Sequence, residues 1–153
     1  MWQAQIFTLY PEFFPGPLSK GLYGKALEKK IWNLKVVNIR DAAEDKHKTV
    51  DDTPFGGGAG MLLKADILAR SIDKNLKDNS RIFYLSPKGK KFDQKLAKEL
   101  SKEKSINLIC GHFEGVDERL LSTRNIEEIS IGDFILSGGE SAAVVIIDSI
   151  LRL

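Results

Sequence analysis

The chain has 153 residues, 42% of them hydrophobic and 29% charged, with a formal net charge of +2. It is long enough for one domain with a buried core, and too apolar and too evenly charged to be disordered. A single cysteine, Cys110, excludes an internal disulfide and fits a reducing compartment, and no apolar run approaches the ~20 residues of a membrane span.

The start, MWQAQIFTLYP, has no basic region ahead of a long apolar run, so no signal peptide is expected. Within it, QAQIFTLYP alternates partly and stops at a proline, which reads as a strand. PLSKGLYGKALEKKIW carries Leu18, Leu22, Ala26 and Leu27 at helical spacing and is expected to be a helix. LKVVNI is a short strand. Residues 41–61, DAAEDKHKTVDDTPFGGGAGM, have no periodicity; loops this long in a compact domain are usually functional or disordered.

MLLKADILARSIDKNL is read as a helix, with Leu63, Ile67 and Ile72 among its apolar positions. RIFYLS is a strand ended by Pro87 and Gly89. FDQKLAKELSKE is an amphipathic helix built on Phe92, Leu96 and Leu100, and INLIC is a buried strand that takes Cys110 with it. EEISIG and FIL are short extended pieces. SGGE reads as a capping box in which Ser137 caps and Glu140 reaches back. AAVVIIDSILRL is a helix apolar on most sides, which must be buried against something.

Strands alternating with helices imply an α/β domain with a mainly parallel sheet flanked by helices. Ligands of such sheets bind at the carboxyl ends of strands. Three of these ends, YLSPKG, CGHFEG and SIGDFILSGGE, carry unusual residues and are expected to form one pocket. It is not a nucleotide cradle of a common type. GxxxxGK[ST] is missing, and GGGAGM neither completes GxGxxG nor follows a strand. Metal spacing fails: His47 and His112 are far apart and there is no CxxC or HExxH. A serine nucleophile would need GxSxG, which is absent. What remains are glycines that let backbone approach a ligand, beside Leu85, Phe113, Ile131, Phe134 and Leu136. That suits a flat, mostly uncharged group such as adenosine.

The stretches FTLYPEFF, NIRD, HKTVDDTPFGGGAGM, YLSPKG, CGHFEGVDERL, SIGDFILSGGE and IDSILR occur in this order between residues 7 and 152. On them the chain resembles the bacterial tRNA guanine-37 methyltransferases of the TrmD type, in the SPOUT class. The resemblance implies a deep C-terminal trefoil knot, an exception to the usual threading rules. It further implies S-adenosyl-L-methionine as donor, a cytoplasmic homodimer with active sites at the subunit interface, and the tRNA anticodon loop as partner. The family's donor pocket falls on Tyr84, Leu85, Ser86, Pro87, Gly111, Phe113, Glu114, Gly115, Ser130, Ile131, Gly132, Phe134, Leu136, Gly138 and Gly139. Positions 113 and 134, commonly Tyr in the family, are Phe here, and Ala142 stands where the family usually has a proline, which would loosen a turn.

The implied reaction is methyl transfer to ring nitrogen one of guanosine 37. A base must take the proton on that nitrogen, and a fixed cation lowers the cost of charge growing towards the exocyclic oxygen. Arg152 matches the family's catalytic arginine, and Asp51, Asp52, Gly57, Gly58 and Gly60 match its guanosine-side wall. The family continues through a linker, which supplies an aspartate proposed as base, into a small helical domain that grips tRNA. Neither is present in these 153 residues, so residues 1–153 are read as the methyltransferase domain, expected to bind donor and to methylate poorly alone. Two rival readings remain at this point. One is a non-enzymatic nucleotide- or RNA-binding module. The other is a knotted methyltransferase of ribose 2′-hydroxyls, against which the HKTVDDTPFGGGAGM loop speaks.

Overall fold

The computed structural model describes residues 1–43, 51–52, 62–112 and 115–153, with only the backbone of 51, 52 and 62. Chain order is β1 (Trp2–Thr8), two 3-10 turns (Pro11–Phe13, Gly16–Ser19), α1 (Gly21–Glu28), β2 (Trp32–Asn38) and a third 3-10 turn (Ile39–Ala42). Then come β3 (Asp51–Asp52), β4 (Leu62–Leu63), α2 (Ala65–Asn75), β5 (Ile82–Lys91), α3 (Gln94–Ser101) and β6 (Ser105–Cys110). The chain closes with α4 (Glu118–Thr123), β7 (Glu127–Ser130) and α5 (Glu140–Leu151).

Five strands form one sheet in the order β2-β1-β6-β5-β7, every neighbour parallel. Parallel sheets are buried on both faces, and alternate residues divide accordingly. Phe83 and Leu85 of β5 and Ile106, Leu108 and Cys110 of β6 join Leu96, Leu100, Ile146 and Ile147 on the face that carries α3 and α5. Ile82, Tyr84 and Ile109 join Ile67, Leu68, Leu120 and Leu121 on the face of α2 and α4. The second face also holds a buried polar pair. Gln5 and Asn107 are register partners; Gln5 Nε2 donates to Asn107 Oδ1 at 2.8 Å, and Asn107 Nδ2 donates to Ser80 Oγ at 2.8 Å. Among the described residues no helix is long and apolar enough to cross a membrane.

Several expectations are corrected. The helix expected over 17–32 is confined to Gly21–Glu28, and Leu22 is 86% exposed. Trp32 instead opens β2, buried, with its indole N–H donating to the Tyr23 carbonyl. α2 starts at Ala65, because the backbone of Leu62–Leu63 pairs antiparallel with Asp51–Asp52. β5 does not end at Pro87. Leu85 and Lys90 both pair with Ile129, so the residues between them loop out and the proline costs the ladder nothing. α4 was not foreseen; Asp117 caps it, accepting from the Arg119 N–H at 3.0 Å. The capping box is wrong too. Gly139 is the N-cap of α5 without a side-chain cap bond, and the Glu140 carboxylate is taken elsewhere. Ala142 lies inside the first turn of α5, buried.

Candidate active site

β5, β6 and β7 end on the same edge of the sheet, and the segments after them enclose a cavity of about 550 Å³. That size suits a small-molecule ligand, for which ~300–1,000 Å³ is usual. Tyr84, Leu85, Ser86 and Pro87 line it from β5 and its looped-out piece, and Gly111 and Gly115 from the segment after β6. Ser130, Ile131, Gly132, Phe134, Leu136, Gly138 and Gly139 line it from β7 and the segment before α5. The three strand ends singled out in the sequence thus meet in one concavity. Phe113 and Glu114 lie outside the described residues, as do Gly57, Gly58 and Gly60.

The glycines have distinct steric reasons. A Cβ on Gly139 would sit 2.9 Å from Cys110 Cα and 3.1 Å from Gly111 N. The two backbones run this close because Gly139 N–H donates to Gly111 O at 3.0 Å. A Cβ on Gly111 would strike the Tyr84 hydroxyl, and one on Gly132 would strike the Phe134 ring. Ser130 Oγ pins the turn after β7, donating to Gly132 O at 2.9 Å and accepting from Gly132 N–H at 3.1 Å.

Sequence reasoning missed several wall residues, among them Lys88, His112, Glu118, Glu128 and Asp133. Glu128 matters most. It is the register partner of Tyr84, and its Oε2 is buried with no hydrogen-bond partner among the described residues. Burial first, and the nearby Glu128 charge second, push the Tyr84 phenol up to about 12. The signal for Glu128 was available: in a strand it shares a face with Ser130, two residues on. Glu140 is also unexpected. Buried at 4% exposure, its Oε2 accepts from the Thr8 hydroxyl at 2.6 Å, and its Oε1 meets His112 Nε2 at 2.5 Å. One carboxylate therefore ties the end of β1, the segment after β6 and the start of α5 together. Cys110, buried beside this junction, has its thiol pushed well up by burial, which leaves it unreactive.

Two expected groups stand apart from the cavity. Arg152 caps the far end of α5, exposed, and does not line the cavity whose wall Gly139 forms. The twelve-residue helix is about 18 Å long, so a single chain separates the two. Asp51 and Asp52 lie in β3, whose partner strand is held to the cavity wall: Leu63 N–H donates to Gly115 O at 2.9 Å and Leu63 bridges Val116. Among the described residues no group of three His, Cys, Asp or Glu could hold a metal ion.

A family model described as tRNA (Guanine-1)-methyltransferase TrmD matches residues 2–153. A protein of Pelagibacter ubique (strain HTCC1062) named tRNA (guanine-N(1)-)-methyltransferase is 84% identical over the whole chain, which covers 67% of that relative. Proteins of the same name from Bartonella tribocorum (strain CIP 105476 / IBS 506) and Wolbachia pipientis subsp. Culex pipiens (strain wPip) are 56% and 53% identical. In both cases 99% of this chain is matched, and it covers 65% and 66% of the relative. The chain thus spans about two thirds of the length of the curated relatives it matches. On the family match and these identities, the chain belongs to the TrmD family of tRNA (guanine-1)-methyltransferases.

Proposed function

We propose that residues 1–153 form the donor-binding part of an enzyme that methylates ring nitrogen one of guanosine 37 in tRNA, with S-adenosyl-L-methionine as donor, in the cytoplasm. The observation that carries this is the cavity at three strand ends. Its apolar walls, Leu85, Ile131, Phe134 and Leu136, suit an adenine ring, and its glycine turns leave backbone within reach of a ligand. The unpartnered Glu128 oxygen suits a cationic ligand, since a buried acceptor without a donor is costly until one arrives. The relatives named above, each a tRNA (guanine-N(1)-)-methyltransferase, support this chemistry.

When bound, the donor supplies a methyl group already activated on a sulfonium, so the protein's part is alignment and exclusion of water. Gly111, Gly138 and Gly139, whose missing side chains let the wall segments pack against Tyr84, His112 and Cys110, present backbone to the ligand. Glu128 balances donor charge. Arg152 offers a cation to the charge that grows on the guanine oxygen. Because one chain separates Arg152 from its own cavity, the reading needs a two-fold dimer in which each Arg152 serves the other copy's site. Val145, 45% exposed on α5, and Ile135, 89% exposed at the cavity rim, offer apolar surface for that contact. The close passage of Gly139 beside Gly111 is consistent with the trefoil knot that the resemblance implies.

The proton on the guanine nitrogen needs an acceptor, and no acid of this chain matches the aspartate that the family's linker supplies. In this reading residues 1–153 bind the donor and methylate tRNA slowly, and the full length of the relatives is needed for speed; loss of a positioned base costs ~10²–10⁴ in rate. The test combines donor calorimetry with labelled methyl transfer to unmodified tRNA, comparing this chain with one extended to the relatives' length. Donor binding in both and fast transfer only in the longer form is the expected result. Failure of both forms to bind donor overturns the proposal.

A further inference from the structure

Between Lys88 and Lys104 the sequence places seven lysines against three acids, a net +4 where the whole chain carries +2. The fold lays these charges out as a ridge that starts at the cavity. Lys88 stands on the cavity wall and pairs with Glu118 at 2.9 Å. Lys90 and Lys91 follow, paired in the backbone with Ile129 and Ser130 at the cavity end of β7. Lys95 and Lys98 lie in α3 and Lys102 caps it, at positions i, i+3 and i+7, which share one helix face. The opposite face, Leu96, Ala97 and Leu100, is buried.

Beyond Lys88, the ridge lysines named here have no ion-pair partner among the described residues. Lys90, Lys91, Lys95, Lys98 and Lys102 are exposed. Two of the three acids in the stretch are otherwise engaged. Glu99 meets Arg81 at 3.3 Å, and Asp93 accepts from the Leu96 N–H at 2.9 Å. The ridge is also bare of apolar anchors, since none of the large exposed hydrophobic residues falls between 88 and 104. A protein partner would call for such anchors. A polyphosphate backbone would not: it asks for point charges repeated along a line.

We infer that this lysine ridge carries the phosphate backbone of the RNA strand that leads to the cavity. The inference rests on the tRNA reading above and adds the surface of this chain that grips it. These contacts set position and affinity without reading sequence.

The test is binding of a labelled anticodon stem-loop RNA to this chain over a salt series, followed by fluorescence anisotropy. The variant Lys91→Gln/Lys95→Gln/Lys98→Gln removes three ridge charges with little effect on helix propensity. The control Lys25→Gln/Lys29→Gln/Lys77→Gln removes three exposed charges elsewhere. Loss of three phosphate contacts should flatten the slope of log affinity against log salt by about 2. The control should keep the parent slope, and both variants should bind S-adenosylmethionine like the parent. The ridge is wrong if the two triple variants shift the slope equally, if the ridge variant keeps it, or if the parent chain binds no RNA. If the donor does not bind the parent, the functional reading fails, whatever the slopes.

Discussion

Replacement of Gly139 by alanine puts one carbon where the fold has no room for it. The new Cβ would lie 2.9 Å from Cys110 Cα and 3.1 Å from Gly111 N, against an ordinary contact of 3.4 Å or more. Neither neighbour can yield easily, because Cys110 ends β6, a central strand with partners on both sides. The start of α5 must therefore retreat by about half an ångström, which stretches the Gly139–Gly111 hydrogen bond and loosens Glu140 from Thr8 and His112. Overpacking against rigid neighbours costs about 1–3 kcal/mol. In a chain of this size each kcal/mol lowers the melting temperature by about 2–4 °C, so Gly139→Ala should melt roughly 2–12 °C below the parent. The same retreat moves a cavity wall, and donor affinity measured by calorimetry should fall tenfold or more. Gly16→Ala is the control: its φ of +49 strains an alanine, but nothing lies within 4 Å of the new carbon. It should cost about 1–2 kcal/mol and leave donor affinity alone. Parent-like melting and binding in Gly139→Ala would refute the close-approach argument.

Glu128→Gln should weaken S-adenosylmethionine binding at least tenfold while the unliganded protein melts no lower than the parent, since the buried Oε2 makes no hydrogen bond among the described residues that the substitution would break; undiminished affinity would take Glu128 out of the site. Tyr84 has a phenol raised by burial to about 12, above the ordinary 10, so the folded state resists losing that proton. Stability should be unaffected below about pH 10 and fall by about 2–3 kcal/mol as pH rises towards 12; urea unfolding across that range should show the loss in the parent and not in Tyr84→Phe, and an equal loss in both would contradict the assignment. A mixing experiment at the relatives' full length tests whether Arg152 serves a second copy. Arg152→Ala and Gly139→Val should each be inactive alone and regain activity when mixed, through the one intact cavity that faces an intact arginine; no recovery would place Arg152 elsewhere.

The parallel sheet and the location of the cavity were legible in the sequence because apolar strand cores such as INLIC end abruptly in glycine-bearing segments. A strand end followed by glycines is a local signal. What escaped the reading was non-local. Glu140 looked like a capping residue because its four-residue neighbourhood has the capping pattern, whereas its partners, Thr8 and His112, lie 132 and 28 residues away in sequence. Pro87 looked like a strand terminator because a proline cannot donate to a ladder; the structure evades the penalty by looping the chain out and re-pairing at Lys90. Leu22 helped to define an expected helix face yet is exposed within α1, and Lys30 at φ 59 and the opening of β2 at Trp32 end that helix earlier than its apolar spacing implied. Glu128 passed as an ordinary strand charge until its pairing with Tyr84 turned it towards the cavity.

The most direct test of the proposed function is the identity of the methylated nucleoside. Unmodified tRNA would be incubated with S-adenosylmethionine and the protein at the full length of its relatives, then digested to nucleosides and analysed by mass spectrometry. The account predicts 1-methylguanosine from position 37, and none from a tRNA carrying another base there. A methyl group on a ribose 2′-hydroxyl, on another base, or on no nucleoside at all would contradict it.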